Sequence, residues 1–444
     1  MAPPPVPAEL RAFGKEQRRR VPRAAHAEWS PGPDRRDPLA ILIEQGQRRI
    51  QSLLPVRYAR MLPDPLAFLR GAAAVMAADL ASAPSTDLRT QLCGDCHLAN
   101  FGTFATPEGV PVFDVNDFDE TLPGPFEWDV KRLAASFAVA AHVKRMSEGE
   151  GRALAGLVAT AYRKHMTHLA GMPPFDSWNE RIDLPSAVSA IAGKRQRRLV
   201  EARLRRVLQS GAAQFGIVEH DGDRLRLHEK PDLVYRLDEQ AWPARDAFGD
   251  YLGTLQPDRQ ALLRRYTLED VAFKVVGVGS VGTFCAIGLL VAGDGSSLLL
   301  QIKEAQESVL EPYAGASACA QPGERVVTGQ RLMQAASDIF LGWTRAPVDG
   351  RSFYVRHLKD SRLAGIGTAL DSHLPFYANL CGRTLARAHA RAGEPAAIAG
   401  YMGAGGSFDR AIERFASAYA EQTVRDWRSL IDAVQSGRII AGHA

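Results

Sequence analysis

One segment, Leu92 to Glu120, constrains the fold of this chain more than any other. It reads LCGDCHLANFGTFATPEGVPVFDVNDFDE, with two apolar runs on either side of the turn sequence TPEG at 106–109. That pattern predicts a β-hairpin. Because a hairpin folds its second strand back beside the first, Asp117 after the second strand is expected near Asn100 and Asp95 before the first.

The polar residues around this hairpin have the composition of a magnesium-phosphate site. Asn100, Asp117 and Asp119 offer hard oxygen atoms of the kind that Mg²⁺ prefers, and they are the expected metal ligands. Asp95 is expected to accept the proton of an acceptor hydroxyl group. These are the roles that phosphoryl transfer needs, because the protein there mainly positions the reactants and neutralises charge.

A second motif, GVGSVG at 277–282, fits the pattern GxGxxG, which dinucleotide-binding folds and kinases share. A dinucleotide-binding fold needs a helix to begin at the third glycine. Here the β-branched and apolar residues 283–287 predict a strand, followed by a turn and a further strand that ends at Lys303. This order favours a nucleotide-covering sheet.

In such a sheet the glycine-rich loop cradles phosphates through its backbone, and Lys303 contacts the α- and β-phosphates. The loop residues expected to do so are Gly277, Gly279, Ser280 and Gly282. Glu324, which opens the next predicted helix, is the candidate carboxylate partner of Lys303, with Glu307 and Glu311 as alternatives. The competing interpretation is that the glycines only serve tight turns and that Lys303 is a solvated edge residue.

The hairpin segment resembles the catalytic loop and metal motif of the protein-kinase-like superfamily, especially the aminoglycoside and choline kinase branch with its HGDxHxxN and DFxD patterns. Residues at 94, 95, 97 and 100 match, and Cys93 stands in place of the first histidine. The resemblance implies ATP and Mg²⁺ as cofactors, His97 as a member of the catalytic set with Asp95 and Asn100, and an adenine hinge near 356–360. It also implies a small-molecule hydroxyl acceptor, since no APE-like activation segment follows Asp119.

The order of the motifs is inverted relative to ordinary kinases, where the glycine-rich loop comes first. The sequence LARAH at 385–389, which resembles the helix leading into the catalytic loop, also lies near the end of the chain. We therefore expect an α+β, bilobal, protein-kinase-like fold that is circularly permuted, with a small antiparallel-sheet nucleotide lobe and a larger, mainly helical lobe. The expected divisions are an N-terminal helical extension at 1–90, a catalytic-loop and helical segment at 91–267, a glycine-loop sheet at 268–360 and C-terminal helices at 361–444.

Over nearly its whole length the chain also resembles the bacterial family called domain of unknown function 2252. The resemblance is carried by DPLAFLRGAA at 64–73, by the block from GDCHLANFG to NDFDE, by VGVGSVGT with LLLQIKEA, and by LARAHARAG at 385–393.

The same residues are also compatible with other functions. A kinase-like scaffold could transfer AMP, or serve as a regulatory module that binds nucleotide without turnover. Asp95 and His97, together with Asp114, Asp117 and Asp119, could instead form a metal-dependent phosphohydrolase site. The sequence CGDCH at 93–97 fits haem attachment, a redox pair or half a zinc site, but no export signal or second ligand pair accompanies it, so both cysteines are expected to be small apolar residues beside the loop.

The composition limits the classes of binding partner that can be expected for this chain. With 54 Lys+Arg against 50 Asp+Glu the net charge is only +4, which gives no general argument for a nucleic-acid or membrane partner. The basic run 194–206 is expected to be a solvated helix face, and glycines interrupt the most apolar region, 281–302, before it could span a bilayer.

Five cysteines and a Pro-rich, basic N-terminus without an apolar run favour a reducing cytoplasm. Residues 1–36 are expected to lie on the surface or to be mobile.

Overall fold

The computed structural model describes residues 4–189, 191, 193–209, 217–222, 224–229, 234–236, 244–274, 279–347, 349–358 and 373–442. The chain is α+β, with helices and small antiparallel sheets. The α-helices span Pro7–Arg20, Pro38–Gly46, Leu54–Met61, Pro65–Gly71, Ala73–Ala81, Phe126–Val143, Glu148–Leu169, Pro174–Asn179, Leu184–Ser189, Lys194–Gln209, Ala244–Gly253, Pro257–Leu263, Glu311–Ala314, Pro322–Met333, Leu374–Ala392, Pro395–Met402 and Ser407–Gln435.

The N-terminal segment is helical, as its apolar spacing predicts. Asp37 and Asp64 begin two of the helices by accepting hydrogen bonds from backbone N–H groups in the first turn, and a proline follows each of them. The helical spacing of apolar residues from Pro38 to Leu80 predicts Tyr58, Met61, Phe68 and Met76 as core residues, and all four are buried.

The first helix, Pro7–Arg20, packs on Pro395–Met402. A Cβ atom at Gly14 would lie 1.8 Å from the carbonyl oxygen of Ala397, and one at Gly400 would lie 2.3 Å from that of Arg11. The backbones of the two helices are therefore in direct contact. Residues 1–36 are expected either to lie on the surface or to be mobile, and over this helix the structure shows the first alternative.

The predicted hairpin is confirmed. Strands β1 (Arg89–Leu92), β2 (Phe101–Ala105), β3 (Pro111–Val115) and β4 (Leu122–Pro125) form two antiparallel pairs, β2 with β3 and β1 with β4. Phe101 lies opposite Val115 and Leu92 lies opposite Leu122. Because these pairs fix both ends of each connection, the loop 93–100 and the loop 116–121 lie side by side.

The remaining strands are β5 (Val218–Asp221), β6 (Arg224–Leu227), β7 (Val234–Arg236), β8 (Tyr266–Lys274), β9 (Cys285–Ala292), β10 (Ser297–Ala305), β11 (Gly342–Arg345) and β12 (Ser352–His357). The first two form a hairpin, and the other six form an antiparallel sheet in the order β11-β12-β10-β9-β8-β7. The glycine-rich segment connects β8 to β9, and β10 carries Lys303. The sequence predicts a further strand at 338–343, but that strand begins only at Gly342, because Asp338 accepts hydrogen bonds from the backbone of Phe340 and His357 in a turn.

Two predicted helices are interrupted. The apolar spacing predicts one basic helix at 186–208, but the structure divides it into Leu184–Ser189 and Lys194–Gln209. It also predicts one helix at 244–266, which ends at Gly253 and resumes at Pro257, since Gln256 before the proline is extended. In the described part of the chain, no helix has both the length and the apolar character that crossing a bilayer requires.

The C-terminal helices pack against elements from the first half of the chain. The helix Leu374–Ala392 packs on Glu148–Leu169 so closely that a Cβ atom at Gly382 would lie 2.5 Å from the carbonyl oxygen of Val158. On the same helix the hydroxyl of Tyr377 donates to the carbonyl of Leu98 at 2.7 Å. This packing brings the C-terminal helices directly under the loop 93–100.

Candidate functional site

The two hairpin loops and the glycine-rich segment face each other across one cleft. Its cavity has a volume of about 620 Å³ and is lined by Asp95 and Asp117 on the hairpin side and by Gly279 and Ser280 on the sheet side. Residues of the N-terminal segment, among them Arg70, complete the wall.

Asp95 is held by one of its two oxygens. Its Oδ1 accepts a hydrogen bond from Arg132 Nε at 2.7 Å and a second from Nη2 of the same guanidinium group. Its Oδ2 lies 3.7 Å from His97 Nε2 and accepts no hydrogen bond from the described residues. A Cβ atom at Gly279 would lie 3.9 Å from this oxygen, so Oδ2 faces the glycine-rich segment across the cleft.

His97 is neutral in this site. Burial is the main cause that lowers the pKa of its imidazole to about 4, while Asp95 acts in the opposite direction. A neutral His97 cannot pair ionically with Asp95, and it lies against the loop as a buried ring.

The loop that carries Asp95 is fixed from below by Asp129. The carboxylate of Asp129 accepts the backbone N–H groups of Cys93 and Gly94 at 2.8 and 3.1 Å. Its Oδ2 also lies 3.2 Å from Nε2 of His389, whose other ring nitrogen is hydrogen-bonded to the hydroxyl of Tyr162 at 2.8 Å. The helix Leu374–Ala392, which contains the LARAH motif, is thereby connected to the loop.

Asn100 connects the two hairpin loops. Its Nδ2 donates to the backbone carbonyls of Asp95 and Asp117 at 3.1 and 3.0 Å. Its Oδ1 and the Oδ1 of Asp117 are both buried, and neither has a hydrogen-bond partner in the described structure. Buried oxygens without a partner are rare and call for an explanation such as a bound ion. Two such oxygens on an amide and a carboxylate fit the preference of Mg²⁺, so the residues present fit this cofactor.

Lys303 reaches the same loops from β10. Its Nζ lies 2.7 Å from Asp119 Oδ2 and 3.7 Å from Asp117 Oδ1. The hydroxyl of Tyr354, which lies opposite Lys303 on β12, donates to Asp119 Oδ1 at 2.7 Å, and that of Ser280 donates to Oδ2 at 3.2 Å. Both oxygens of Asp119 are thus engaged, whereas Asp117 keeps an open one.

The pKa values of these groups follow from that division. Burial by itself would raise the pKa of Asp119, but the charge of Lys303 and the hydrogen bonds from Lys303 and Tyr354 lower it to about 2. For Asp117, burial and then the charge of Asp119 raise the pKa above its ordinary value. Burial alone would lower the pKa of Lys303, but Asp117 and Asp119 raise it well above its usual range.

The structure places the predicted partners of Lys303 elsewhere. Glu324 accepts the backbone N–H of Ala320 at 2.9 Å, Glu307 pairs with Arg48 at 2.7 Å, and Glu311 accepts the backbone N–H of Ser308 at 3.0 Å. Among the described residues, the carboxylates in contact with Lys303 are those of Asp119 and Asp117, because the hairpin loop extends beneath β10.

The predicted nucleotide-binding residues are only partly described. Gly277 lies outside the described residues, as do positions 359 and 360 of the predicted adenine hinge. Gly282 has a φ of +88°, which favours glycine, and its Cβ position would lie 3.0 Å from the Cβ of Arg49. Arg356 lies in β12 and donates to Gln301 Oε1 and to the backbone carbonyl of Asn116.

One of the alternative sites loses a member. Asp114 is buried against Arg387 and accepts the backbone N–H groups of Val115 and Ala335, so its carboxylate is turned away from the cleft and does not join Asp117. Cys93 and Cys96 lie with Asp129 within 4.8 Å of one another, but both oxygens of Asp129 already accept hydrogen bonds. Burial raises the pKa of both thiols, that of Cys96 to about 11, as expected for inert buried cysteines.

Sequence reasoning missed three contributors. Arg132 follows Asp129 by three positions on a helix and therefore shares its face, a signal that the sequence contained. Tyr354 is placed only by the register of β12 against β10. The N-terminal segment, predicted as an extension, bonds to the glycine-rich segment through Arg49 Nη1 to the carbonyl of Val281 at 2.6 Å and Ile50 N–H to that of Gly282 at 2.7 Å.

The family described as an uncharacterized protein conserved in bacteria, DUF2252, matches residues 49–433. Comparisons with curated proteins and with solved structures gave no match.

Proposed function

The chain belongs to the bacterial family DUF2252, and from the geometry of its cleft we propose that it is an ATP- and Mg²⁺-dependent phosphotransferase that acts on a hydroxyl group of a small molecule. A cytoplasmic location, where ATP is available, goes with this proposal.

One observation carries the proposal. A lysine from the sheet, Lys303, lies 3.7 Å from Asp117 Oδ1 across the cleft, and that oxygen and Asn100 Oδ1 are buried without a hydrogen-bond partner in the described structure. Phosphoryl transfer from a nucleotide needs a cation on the phosphates, oxygens for a metal and a base for the acceptor within one cavity. Asn100, Asp117 and the proposed base Asp95 line the cavity, and Lys303 lies directly behind Asp117 and Asp119, where its charge acts on the same site.

Each residue of the site has its own role in the proposed transfer. Asn100 and Asp117 would hold Mg²⁺, which supplies charge neutralisation for the phosphates when bound. Lys303 and the backbone of the glycine-rich segment bind and orient the phosphate groups. Asp95 accepts the proton of the acceptor hydroxyl at Oδ2, and Arg132 orients that carboxylate through Oδ1.

We also propose that the fold is kinase-like and circularly permuted. The contact between His389 and Asp129 supports this, because it puts the C-terminal helix under the loop of Asp95. In a kinase-like order that helix would precede the loop in the chain, whereas here it follows the sheet.

The test is ADP formation by the purified full-length protein with Mg²⁺, ATP and a library of hydroxylated metabolites. We expect one class of acceptor to stimulate turnover, and Asp95→Asn to reduce kcat by about 10²–10⁴-fold, as for loss of a general base. The exposed residue Asp294 provides the control, since Asp294→Asn removes a carboxylate of the same type from the turn at the other end of the β9–β10 pair from Lys303. Nucleotide binding without turnover under any acceptor or metal would favour a regulatory module, and phosphoester cleavage without ATP a phosphohydrolase.

A further inference from the structure

The N-terminal wall of the cleft contains four arginines that the proposed transfer does not use, Arg36, Arg48, Arg49 and Arg70. Two of them already have carboxylate partners among the residues that line the cavity. Arg36 pairs with Glu44 at 2.6 Å and Arg48 pairs with Glu307 at 2.7 Å, both with more than half of the side chain exposed. These two pairs are ordinary surface ion pairs.

Arg70 has no such partner. Its guanidinium group makes no hydrogen bond and no ion pair with the described residues, and its Nε is buried. It lines the same cavity as Asp95 and His97, and its charge adds to the larger effect of burial in lowering the pKa of His97. Its carbonyl oxygen is also 3.2 Å from the Cβ position of Gly279.

Arg49 lines the same cavity and also has an unused donor. Only 9 % of Arg49 is exposed, its Nη1 donates to the carbonyl of Val281, and its Nε is buried without a hydrogen-bond partner in the described structure. Behind it Arg57 is fully buried, with Nη2 bonded to Gln45 and to the carbonyl of Gly71 and with Nε and Nη1 unpartnered among the described residues. Burial lowers the pKa of both guanidinium groups.

The carboxylates near these cations are engaged with backbone groups. Glu120 accepts the N–H of Val309 at 2.7 Å, and Glu304 accepts that of Phe284 at 3.0 Å. Buried cations without a bound counter-ion are costly. An anion entering the cleft at Arg70 and Arg49 would satisfy donors that the described structure leaves open.

We propose that Arg70 and Arg49 form an anion subsite beside Asp95, and that the acceptor has a phosphate or carboxylate group in addition to its hydroxyl. A guanidinium group binds both kinds of anion through its planar set of N–H donors. The inference deepens the proposed function and rests on it for the role of the anion, whereas anion binding itself needs no turnover.

The first test is calorimetric titration of inorganic phosphate into the full-length protein without nucleotide, at constant ionic strength. We expect Arg70→Gln to weaken binding by about tenfold or more, the loss typical of a charge-assisted hydrogen bond, and Arg70→Lys to weaken it less. Arg48→Gln is the matched control, because it removes an arginine from the same wall that already has a partner, and it should bind within about twofold of the original chain. Unchanged affinity in Arg70→Gln, or no phosphate binding by the original chain, overturns the subsite.

A second titration identifies the source of the anion. It repeats the first with Mg²⁺ and a saturating non-hydrolysable ATP analogue present. Phosphate that still binds, and still depends on Arg70, supports an acceptor subsite. Competition between phosphate and the analogue assigns Arg70 to the terminal phosphate of the nucleotide and overturns the acceptor assignment. If the analogue does not bind at all, the proposed function fails while the first titration still decides the subsite.

Discussion

Lys303 Nζ lies 2.7 Å from Asp119 Oδ2, although 184 positions separate the two residues in the chain. The contact joins the sheet to the hairpin loop and is buried on the lysine side, where 4 % of the side chain is exposed. The same lysine is 3.7 Å from Asp117, so one cation balances two carboxylates.

Replacing this lysine should therefore damage stability as well as nucleotide binding. Lys303→Met leaves Asp117 and Asp119 without their cation, and we expect the free energy of unfolding in urea to fall by roughly 3–5 kcal/mol, the range for a broken buried pair. Tyr354→Phe is the control, since it removes one hydrogen bond from the same carboxylate and should cost roughly 1–2 kcal/mol. Equal losses in the two variants would contradict the buried-pair interpretation.

Asp117→Asn should separate metal binding from stability. The pKa of Asp117 is raised by burial and by Asp119, so a neutral side chain of the same shape relieves repulsion in the fold. We expect unfolding free energy to stay within about 1 kcal/mol of the original value, while Mn²⁺ affinity, measured by paramagnetic resonance, falls at least about tenfold through loss of a charged oxygen ligand. Mn²⁺ binding at unchanged affinity would show that the ion binds elsewhere.

Glu120 should make stability depend on pH between the unfolded and folded pKa values of its carboxyl group. Burial raises the folded pKa from 4.5 to about 7, against the hydrogen bond from Val309. The folded state therefore binds the proton more tightly, so this group favours folding at low pH, and its contribution is lost as the pH rises from 4.5 through 7. Across that window the stability of the original chain should fall relative to Glu120→Gln in parallel urea titrations; a constant difference between the two would refute the raised pKa.

Gly94, in the loop 93–100, should be more sensitive to substitution than Gly109, in the hairpin turn. Its φ is +84°, and a Cβ atom there would lie 2.2 Å from the carbonyl oxygen of Glu120. Gly109 has a similar φ of +81° but no atom within 4 Å of its Cβ position, which makes it the matched control. In thermal unfolding, Gly109→Ala should cost about 1 kcal/mol of left-handed strain, and Gly94→Ala roughly 3 kcal/mol or more, because a steric clash is added. Similar losses would mean that the loop can move away from Glu120.

Much of the local structure could be predicted because it depends on neighbouring residues. The hairpin 101–115 and the two strands that follow the glycine-rich segment can be predicted from short-range apolar spacing and turn chemistry. The predictions that were wrong concern contacts between residues that are far apart in the chain. Glu324 was a reasonable partner for Lys303 from its place in the sequence, but the hairpin loop brings Asp119 closer.

The sequence by itself determined which residue types meet at the hairpin, because β2 and β3 are adjacent in the chain and their register fixes Asn100 beside Asp117. Only the tertiary structure decided that Lys303 pairs with Asp119, that Arg132 bonds to Asp95 and that Arg70 lines the same cavity, since these arrangements join segments that are far apart in the chain. Such contacts form because helices and sheet bury apolar faces against one another, and the polar groups at the resulting edges must then find partners. That packing depends on the whole core, which no local pattern of residues encodes.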